Sequence, residues 1–343
     1  MKFNDIINWI SEEEYRSSEG FSYSILKNIA DEGPIALTDA KKQFKSDALD
    51  FGSLVDIIIS KPEDRYSIFY TKPIEKPTAS LLELADSLLK DHAIVGYKYE
   101  DLVDKKYIED KIKTLGLWSN LKDETLQKKY DSSIFYNYIK ASIEAEGKII
   151  CTPTLIEAAE HCAEVLLNHE YTKHLFEESK NIEILKQVPI FYIFKGRLGK
   201  GKIDLLRIDH ENKLISIYDI KTGAELPTNF ENSFYFFKYY LQVVSYLIAI
   251  SYLIFKYDQF KDYKIDKFRF IYISKKLSNT PCVYEVDEKL VDEFFKGWRN
   301  GKGEYVKGFE QLVDEYTFYM ENEKFDTEKK VIENNGVLNI TLS

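Results

Sequence analysis

The second half of the chain places three short apolar runs before one long one, and this order constrains the fold most strongly. The runs "EILKQVPIFYIFKG", "GKIDLLRID" and "KLISIYDIKTG" have the composition of β-strands, and turn-forming residues separate them. The apolar, aromatic segment 234–255 follows, and then a fourth strand-like run, "KFRFIYISKK". The order β-β-β-helix-β predicts an α/β core.

Segment 234–255, "FYFFKYYLQVVSYLIAISYLIF", is long enough to cross a bilayer. It contains Lys238, Gln242 and several tyrosines, which favours a helix buried in a protein core over a membrane span. We therefore expect no membrane partner for this chain.

Composition and charge narrow the classes of protein further. The 343 residues carry a formal charge of −10, which argues against a generally basic nucleic-acid binder. It leaves open an enzyme that grips nucleic acid in a local groove with the help of bound metal ions. Cys151, Cys162 and Cys282 are too widely spaced for a disulfide framework or a cysteine metal site. Together with a first segment unlike a signal peptide, they predict a reduced, cytoplasmic location.

The chain between the first helices and the strand-like runs has a different character. It is helical in pattern and rich in charge, and its part 97–147 is rich in Lys and Tyr and only weakly periodic. We interpret it as an inserted helical lobe or lid. The predicted organisation is one domain over residues 1–325, with the helical lobe at 80–180, a catalytic core at 181–275 and a tail at 326–343.

Charged side chains sit near the ends of two predicted core strands. Asp219 and Lys221 are two residues apart in "SIYDIKTGAE" and therefore point to the same face of a strand. If residues 209–212 form the loop between the strands, Asp204 lies opposite Ile217 and is the diagonal neighbour of Asp219. Taken alone, Asp219 and Lys221 could also be a solvated strand end.

Two carboxylates and a lysine at the end of a buried sheet are costly unless something compensates their charge. A divalent cation held by Asp204 and Asp219 would do so, and hard carboxylate oxygens suit Mg²⁺ or Mn²⁺. Lys221 beside such a metal can orient an attacking water. Because the metal lowers the pKa of that water and neutralises phosphate charge, the pattern favours phosphodiester hydrolysis.

Three motifs in order resemble the PD-(D/E)xK nuclease superfamily, in its RecB/RecE-type, exonuclease VIII-like branch. The branch has a "G-x-x-D" strand, a "D-x-K-T" strand and a helix with "Q-x-x-x-Y"; here these are Gly201–Asp204, Asp219–Thr222, and Gln242 with Tyr246. The resemblance implies an α/β fold with a restriction-endonuclease-like core, that is, a central mixed β-sheet flanked by helices, and with a helical insertion. It also implies catalytic roles for Asp204, Asp219, Lys221, Gln242 and Tyr246.

The resemblance also makes a prediction about the faces of the aromatic helix. Gln242 and Tyr246 share one helical face and should look toward the metal site. Phe237, Leu241 and Val244 should instead pack in the core.

The resemblance extends to the first third of the chain, with one departure. "FSYSILKNIA" and "DFGSLVDIIIS" correspond to a Ser-started helix and an "F-G-x-x-x-H" helix whose His contacts the metal in the relatives. Asp56 stands at the position of that His. Since Asp can also ligate Mg²⁺, we expect the metal ligands to be Asp56, Asp204 and Asp219.

The resemblance implies a Mg²⁺-dependent (or Mn²⁺-dependent) DNA exonuclease acting on duplex ends, in phage-like recombination or DNA processing. Two alternatives stay open: a structure-specific or nicking endonuclease on the same core, and a non-catalytic module that binds nucleic acid or protein. A homo-oligomer and a recombination partner protein are also open.

Overall fold

The structure is a computed structural model that describes residues 2–38, 47–70, 72–275 and 280–337. Residues 338–343 of the predicted tail lie outside the described residues. Within the described part of the tail, Lys329–Glu333 form a short helix.

Among the described residues, a long run of helices comes first in the chain, and the strands follow it with further helices between and after them. The α-helices are α1 (Glu12–Ser17), α2 (Tyr23–Glu32), α3 (Asp47–Ser60), α4 (Arg65–Ile68), α5 (Ala79–Val95), α6 (Tyr99–Leu102), α7 (Lys105–Leu115), α8 (Asp123–Tyr130), α9 (Ser133–Glu144), α10 (Pro153–Asn168), α11 (Phe230–Phe236), α12 (Tyr239–Lys256), α13 (Glu288–Lys296), α14 (Phe309–Asn322) and α15 (Lys329–Glu333). The strands are β1 (Ile182–Phe194), β2 (Arg197–Asp209), β3 (Leu214–Gly223), β4 (Lys264–Ser274), β5 (Cys282–Glu285), β6 (Gly297–Arg299) and β7 (Tyr305–Lys307).

Five of these strands form one mixed sheet in the order β1-β2-β3-β4-β5. The pairs β1–β2, β2–β3 and β4–β5 are antiparallel, whereas β3 and β4 are parallel and are joined through α11 and α12. A parallel pair requires a crossover of this kind, which is why the long helix falls between these two strands. The mixed α/β sheet flanked by helices confirms the fold class predicted from the sequence.

The chain divides into two compact units. The first, Met1–Phe44 with Glu164–Ser343, contains the five-stranded sheet, α12 and the last helices. The second, Lys45–Ala163, is built from helices around its own apolar core, in which α5, α7 and α9 contribute Leu84, Leu88, Ile108, Ile112, Phe135 and Ile139. The domain boundaries given by the sequence stay predictions.

Helix α12 belongs to the core of the first unit. Its buried residues join those of β1 to β4 in one hydrophobic cluster. Of the residues that the structure describes, only those of α12 form a helix long and apolar enough to cross a bilayer, a property that core helices share.

The apolar segment 234–255 is two helices rather than the single one expected. Lys238 adopts a left-handed conformation, with φ of 54°, and separates α11 from α12. Leu241 and Val244 are buried as predicted. The prediction that Phe237 packs was wrong: its side chain is 42% exposed, because the chain leaves the helical path at this junction.

The register between β2 and β3 also differs from the predicted one. Leu206, not Asp204, lies opposite Ile217, so the strands are shifted by two residues. The reason is the turn: the Asp209 carboxylate accepts hydrogen bonds from the backbone N–H groups of Glu211 and Asn212, at 3.1 and 3.0 Å, and Asp209 remains in β2. Lys213, with φ of 54°, belongs to the loop instead. A shift of two preserves the faces of both strands.

Candidate active site

The site begins where β2 and β3 separate. Their ladder ends at the pair of Leu205 and Tyr218; from there β3 continues along β4 and β2 along β1. Asp204 and Asp219 are the next residues of each strand, so they lie across from each other at the split. The Asp204 Oδ2 atom accepts a hydrogen bond of 2.8 Å from the backbone N–H of Ile220. Where the β2–β3 ladder ends, a side-chain carboxylate instead of a backbone carbonyl accepts the hydrogen bond from β3.

Asp219 is the most buried charged group of the site, with a side chain only 1% exposed. Its Oδ1 atom accepts a hydrogen bond from Gln242 Nε2, and its Oδ2 atom forms an ion pair with Lys221 Nζ. Oδ2 nevertheless accepts no hydrogen bond of normal geometry, and neither does the buried Oε1 atom of Gln242. Two buried oxygens therefore remain with hydrogen-bonding capacity to spare, which is rare in protein interiors.

The electrostatics of the site favour added positive charge. The pKa of Asp219 is raised to about 7, mainly by burial; Lys221 opposes this rise, and the nearby Asp204 adds to it. Burial lowers the pKa of Lys221, but Asp219 together with Tyr23, Tyr239 and Asp204 outweighs this and holds the pKa well above its usual value. A cation between the two carboxylates would remove the cost of ionising them.

Lys221 is held in place by aromatic rings as well as by Asp219. Its Nζ atom lies 4.6 Å from the ring centroid of Tyr239 and 5.9 Å from that of Phe270. Cation–π contacts of this kind stabilise a partly desolvated ammonium by roughly 1–2 kcal/mol. The lysine side chain is only 15% exposed, and the ion pair and the two rings together fix the direction of its ammonium.

Gln242 and Tyr246 connect α12 to the strands. Gln242 Nε2 also donates to the Tyr246 hydroxyl at 3.2 Å, and that hydroxyl donates to the backbone carbonyl of Lys202 at 2.7 Å. The Tyr246 ring packs on Gly201, where an added Cβ would lie 2.8 Å from a ring carbon. The glycine of the "G-x-x-D" strand is therefore needed for the close approach of this ring.

Sequence reasoning missed Gln187. Its side-chain amide donates to Asp204 Oδ1 at 3.1 Å from the neighbouring strand β1. Its φ of 50° is unusual for a non-glycine residue in a strand. The side chains of β2 also do not alternate strictly between the two faces of the sheet here. Ile203 and Leu206 are three residues apart, yet both join the core that contains α12. Only the register of β1 against β2 would have placed Gln187 beside Asp204, and the strand patterns in the sequence do not determine that register.

Asp56 lies on α3 in the second unit, whereas Asp204 and Asp219 belong to the first. Its side chain is half-buried, and its role as a metal ligand stays a prediction. Within the described ranges from residue 2 to residue 337, no three His, Cys, Asp or Glu side chains gather into a group able to hold a metal.

The residues of the first unit nevertheless fit a hard divalent cation. Asp204 and Asp219 supply carboxylate oxygens, the donors that Mg²⁺ prefers, and Mg²⁺ commonly keeps several waters alongside one or two protein carboxylates. The buried Asp219 Oδ2 atom is an oxygen with bonding capacity left. Bound there, the cation would lower the pKa of a water and neutralise phosphate charge.

The mixed sheet and the cluster of two aspartates and a lysine at its split define a restriction-endonuclease-like core. Residues 119–328, more than half of the chain, match the family model of the PD-(D/E)XK nuclease superfamily. The chain belongs to this superfamily. The matched range contains every catalytic residue expected from the sequence.

No curated protein matches the chain. Among solved structures, it resembles the crystal structure of a protein from Eubacterium rectale that is provisionally named an exonuclease. The two share 13% sequence identity with a TM-score of 0.47, over 98% of this chain and 96% of the other.

Proposed function

We propose that this protein is a metal-dependent DNA exonuclease of RecB/RecE type, with Mg²⁺ or Mn²⁺ as its cofactor. Membership of the superfamily implies hydrolysis of nucleic acid, and its nucleases generally use divalent metals. The observation that carries the proposal is the opposition of Asp204 and Asp219 at the split of β2 and β3, with Lys221 against Asp219.

In this proposal each residue of the cluster has a distinct task. Asp204 and Asp219 hold the cation, and Gln242 fixes the orientation of the Asp219 carboxylate through its hydrogen bond to Oδ1. The Lys221 ammonium, directed by the Tyr239 ring, donates to the attacking water or to the charge that develops on the phosphate. Such a group stabilises the transition state more than the ground state, which is the requirement for catalysis.

The biological setting is part of the same proposal: recombination or DNA processing, as in phages, in a reduced cytoplasmic compartment. The wide spacing of Cys151, Cys162 and Cys282 along the sequence supports the reduced compartment. A homo-oligomer or a recombination partner remains compatible with it.

The deciding experiment incubates the protein with linear duplex DNA and with a covalently closed circle, in Mg²⁺ or Mn²⁺ and in EDTA. We expect metal-dependent loss of the linear form from its ends while the circle stays intact. Lys221→Met should abolish the loss, whereas Lys267→Ala, which removes a lysine paired with Glu285 at the exposed side of β4, should not. Cutting of the circle would indicate an endonuclease, and binding without cutting would indicate a non-catalytic module.

A further inference from the structure

Two phenylalanines stand exposed at the junction of α11 and α12. The side chains of Phe236 and Phe237 are 75% and 42% exposed, and their rings meet edge to face with centroids 5.0 Å apart. Burying one such side chain is worth about 1.5–3 kcal/mol, so leaving two adjacent ones in water is a cost to the free protein.

The junction holds these rings outward through specific contacts. Lys238 has a left-handed conformation that costs a non-glycine residue on the order of 1 kcal/mol. Its N–H donates to the carbonyl of Tyr235 at 3.2 Å, its carbonyl accepts from the N–H of Leu241 at 3.0 Å, and its ammonium pairs with Asp31. The exposure of Phe236 and Phe237 is thus built into a well-bonded turn rather than a loose end.

The exposed pair is continuous with the candidate active site. Phe237 stacks on Tyr239 with ring centroids 5.7 Å apart and planes inclined by 28°. Tyr239 is the ring over which the Lys221 ammonium lies, at 4.6 Å. A row of aromatic rings therefore leads from the lysine of the site outward to solvent.

We propose that Phe236 and Phe237 form a stacking platform for unpaired bases of the DNA strand whose phosphate reaches Asp204 and Asp219. This inference rests on the proposed function. Every base has a π-face, so stacking on aromatic side chains is sequence-tolerant and contributes roughly 1–3 kcal/mol per base. The steps from Lys221 Nζ to the rings of Tyr239, Phe237 and Phe236 are 4.6, 5.7 and 5.0 Å, so at about 3.4 Å or more per nucleotide the platform lies within a few nucleotides of the site.

The net negative charge of the protein favours binding of DNA through base stacking rather than through its phosphates. With a formal charge of −10, the chain does not attract the phosphate backbone as a whole. Apolar stacking beside the site supplies binding free energy that long-range charge does not. Unpaired bases at a frayed end are the part of the DNA that offers such faces.

The test measures binding separately from cleavage. A single-stranded oligonucleotide with 2-aminopurine near its end is titrated with the protein in Ca²⁺, and product analysis confirms that the oligonucleotide stays intact. We expect quenching of 2-aminopurine by the wild type. The double variant Phe236→Ala, Phe237→Ala should lose the quenching and bind about 5- to 150-fold more weakly, the equivalent of one stacked base.

Two further variants separate stacking from folding and from general loss of apolar surface. Phe236→Tyr with Phe237→Tyr keeps both ring faces and should restore binding and quenching. Phe255→Ala removes a side chain that is 88% exposed at the other end of α12, about 24 Å along the helix axis, and should change nothing. Circular dichroism of each variant reports whether the fold is retained.

Hydrolysis is followed with bis(p-nitrophenyl) phosphate, which is too small to reach the platform. In the double alanine variant the KM for oligonucleotides should rise by a larger factor than any change in the rate on this small substrate. Wild-type oligonucleotide affinity in a folded double alanine variant would overturn the platform, and so would a wild type that does not bind the oligonucleotide. Quenching that depends on the phenylalanines without any hydrolysis would instead overturn the proposed function and leave the platform standing.

Discussion

At the scale of single residues, Asp204 and Asp219 are held by different partners. Asp204 accepts from the backbone N–H of Ile220 and from Gln187, whereas Asp219 is bound by Gln242 and Lys221. A substitution at one aspartate therefore removes none of these hydrogen bonds or ion pairs of the other.

Asp204→Asn should retain the fold and lose hydrolysis. The amide oxygen still accepts the Ile220 N–H, but the charge that would bind the cation is gone. We expect the rate of duplex degradation in Mg²⁺ to fall about 100-fold or more, the usual effect of removing one preorganised charged or polar group from an active site. Steady-state cleavage and a circular dichroism spectrum check both parts. A wild-type rate would show that the site lies elsewhere.

Lys221→Met should separate metal binding from turnover. Methionine preserves the contact of the side chain with Tyr239 and Phe270, since a thioether packs well on aromatic rings. It removes only the ammonium. We expect calorimetric titration with Mn²⁺ to give a binding signal close to that of the wild type, together with a strongly lowered turnover number. Loss of the Mn²⁺ signal would mean that Lys221 serves to bridge the carboxylates.

At the scale of elements, the alternation of side chains along a strand predicted the shared face of the two aspartates, whereas the assumed loop between β2 and β3 predicted the wrong register. Asp204 and Asp219 were placed on one face from their positions in "KIDLLRID" and "SIYDIKTG", and the structure brings them together. The predicted register of β2 and β3 was wrong by two residues, because residue type alone does not show that Asp209 stays in β2. The break at Lys238 was missed for a similar reason: a lysine carries no turn signal, and the left-handed turn depends on tertiary contacts.

The packing of α12 on β2 gives an element-scale prediction. Gly201→Ala would place a Cβ 2.8 Å from the Tyr246 ring and would push the ring away from the strand. Overpacking of this kind typically destabilises by about 1–3 kcal/mol. It should also weaken the hydrogen bond between the Tyr246 hydroxyl and the carbonyl of Lys202 and so lower activity.

Gly301→Ala is the matched control, because nothing lies within 4 Å of a Cβ added there. Urea unfolding of both variants measures the difference in stability. We expect the control to stay within about 0.5 kcal/mol of the wild type. Equal stability of the two variants would show that Tyr246 does not depend on close approach to the strand.

At the scale of the whole molecule, the buried charge of the site lowers the stability of the first unit, and the apolar core of that unit offsets this cost. The sheet carries the half-buried carboxylate of Asp204 and the buried one of Asp219 at its split, and burial disfavours the charged form of Asp219. The apolar strands and α12 were visible in the sequence, and they provide the core that supports this charge. The division of the chain at Lys45 and Ala163 was not visible, because helical patterns alone do not show which helices pack together.

A cation that binds the folded first unit but not the unfolded chain should stabilise it. At a free Mn²⁺ concentration about 100 times the dissociation constant, the expected gain is about 2.7 kcal/mol. For a unit of this size the unfolding temperature rises about 2–4 °C per kcal/mol, so calorimetry should record an increase of about 5–11 °C. The double variant Asp204→Asn, Asp219→Asn has lost both carboxylates and should show no increase. An equal rise in the variant would place the Mn²⁺ site outside this pair, since the ion would then be stabilising the protein through other ligands.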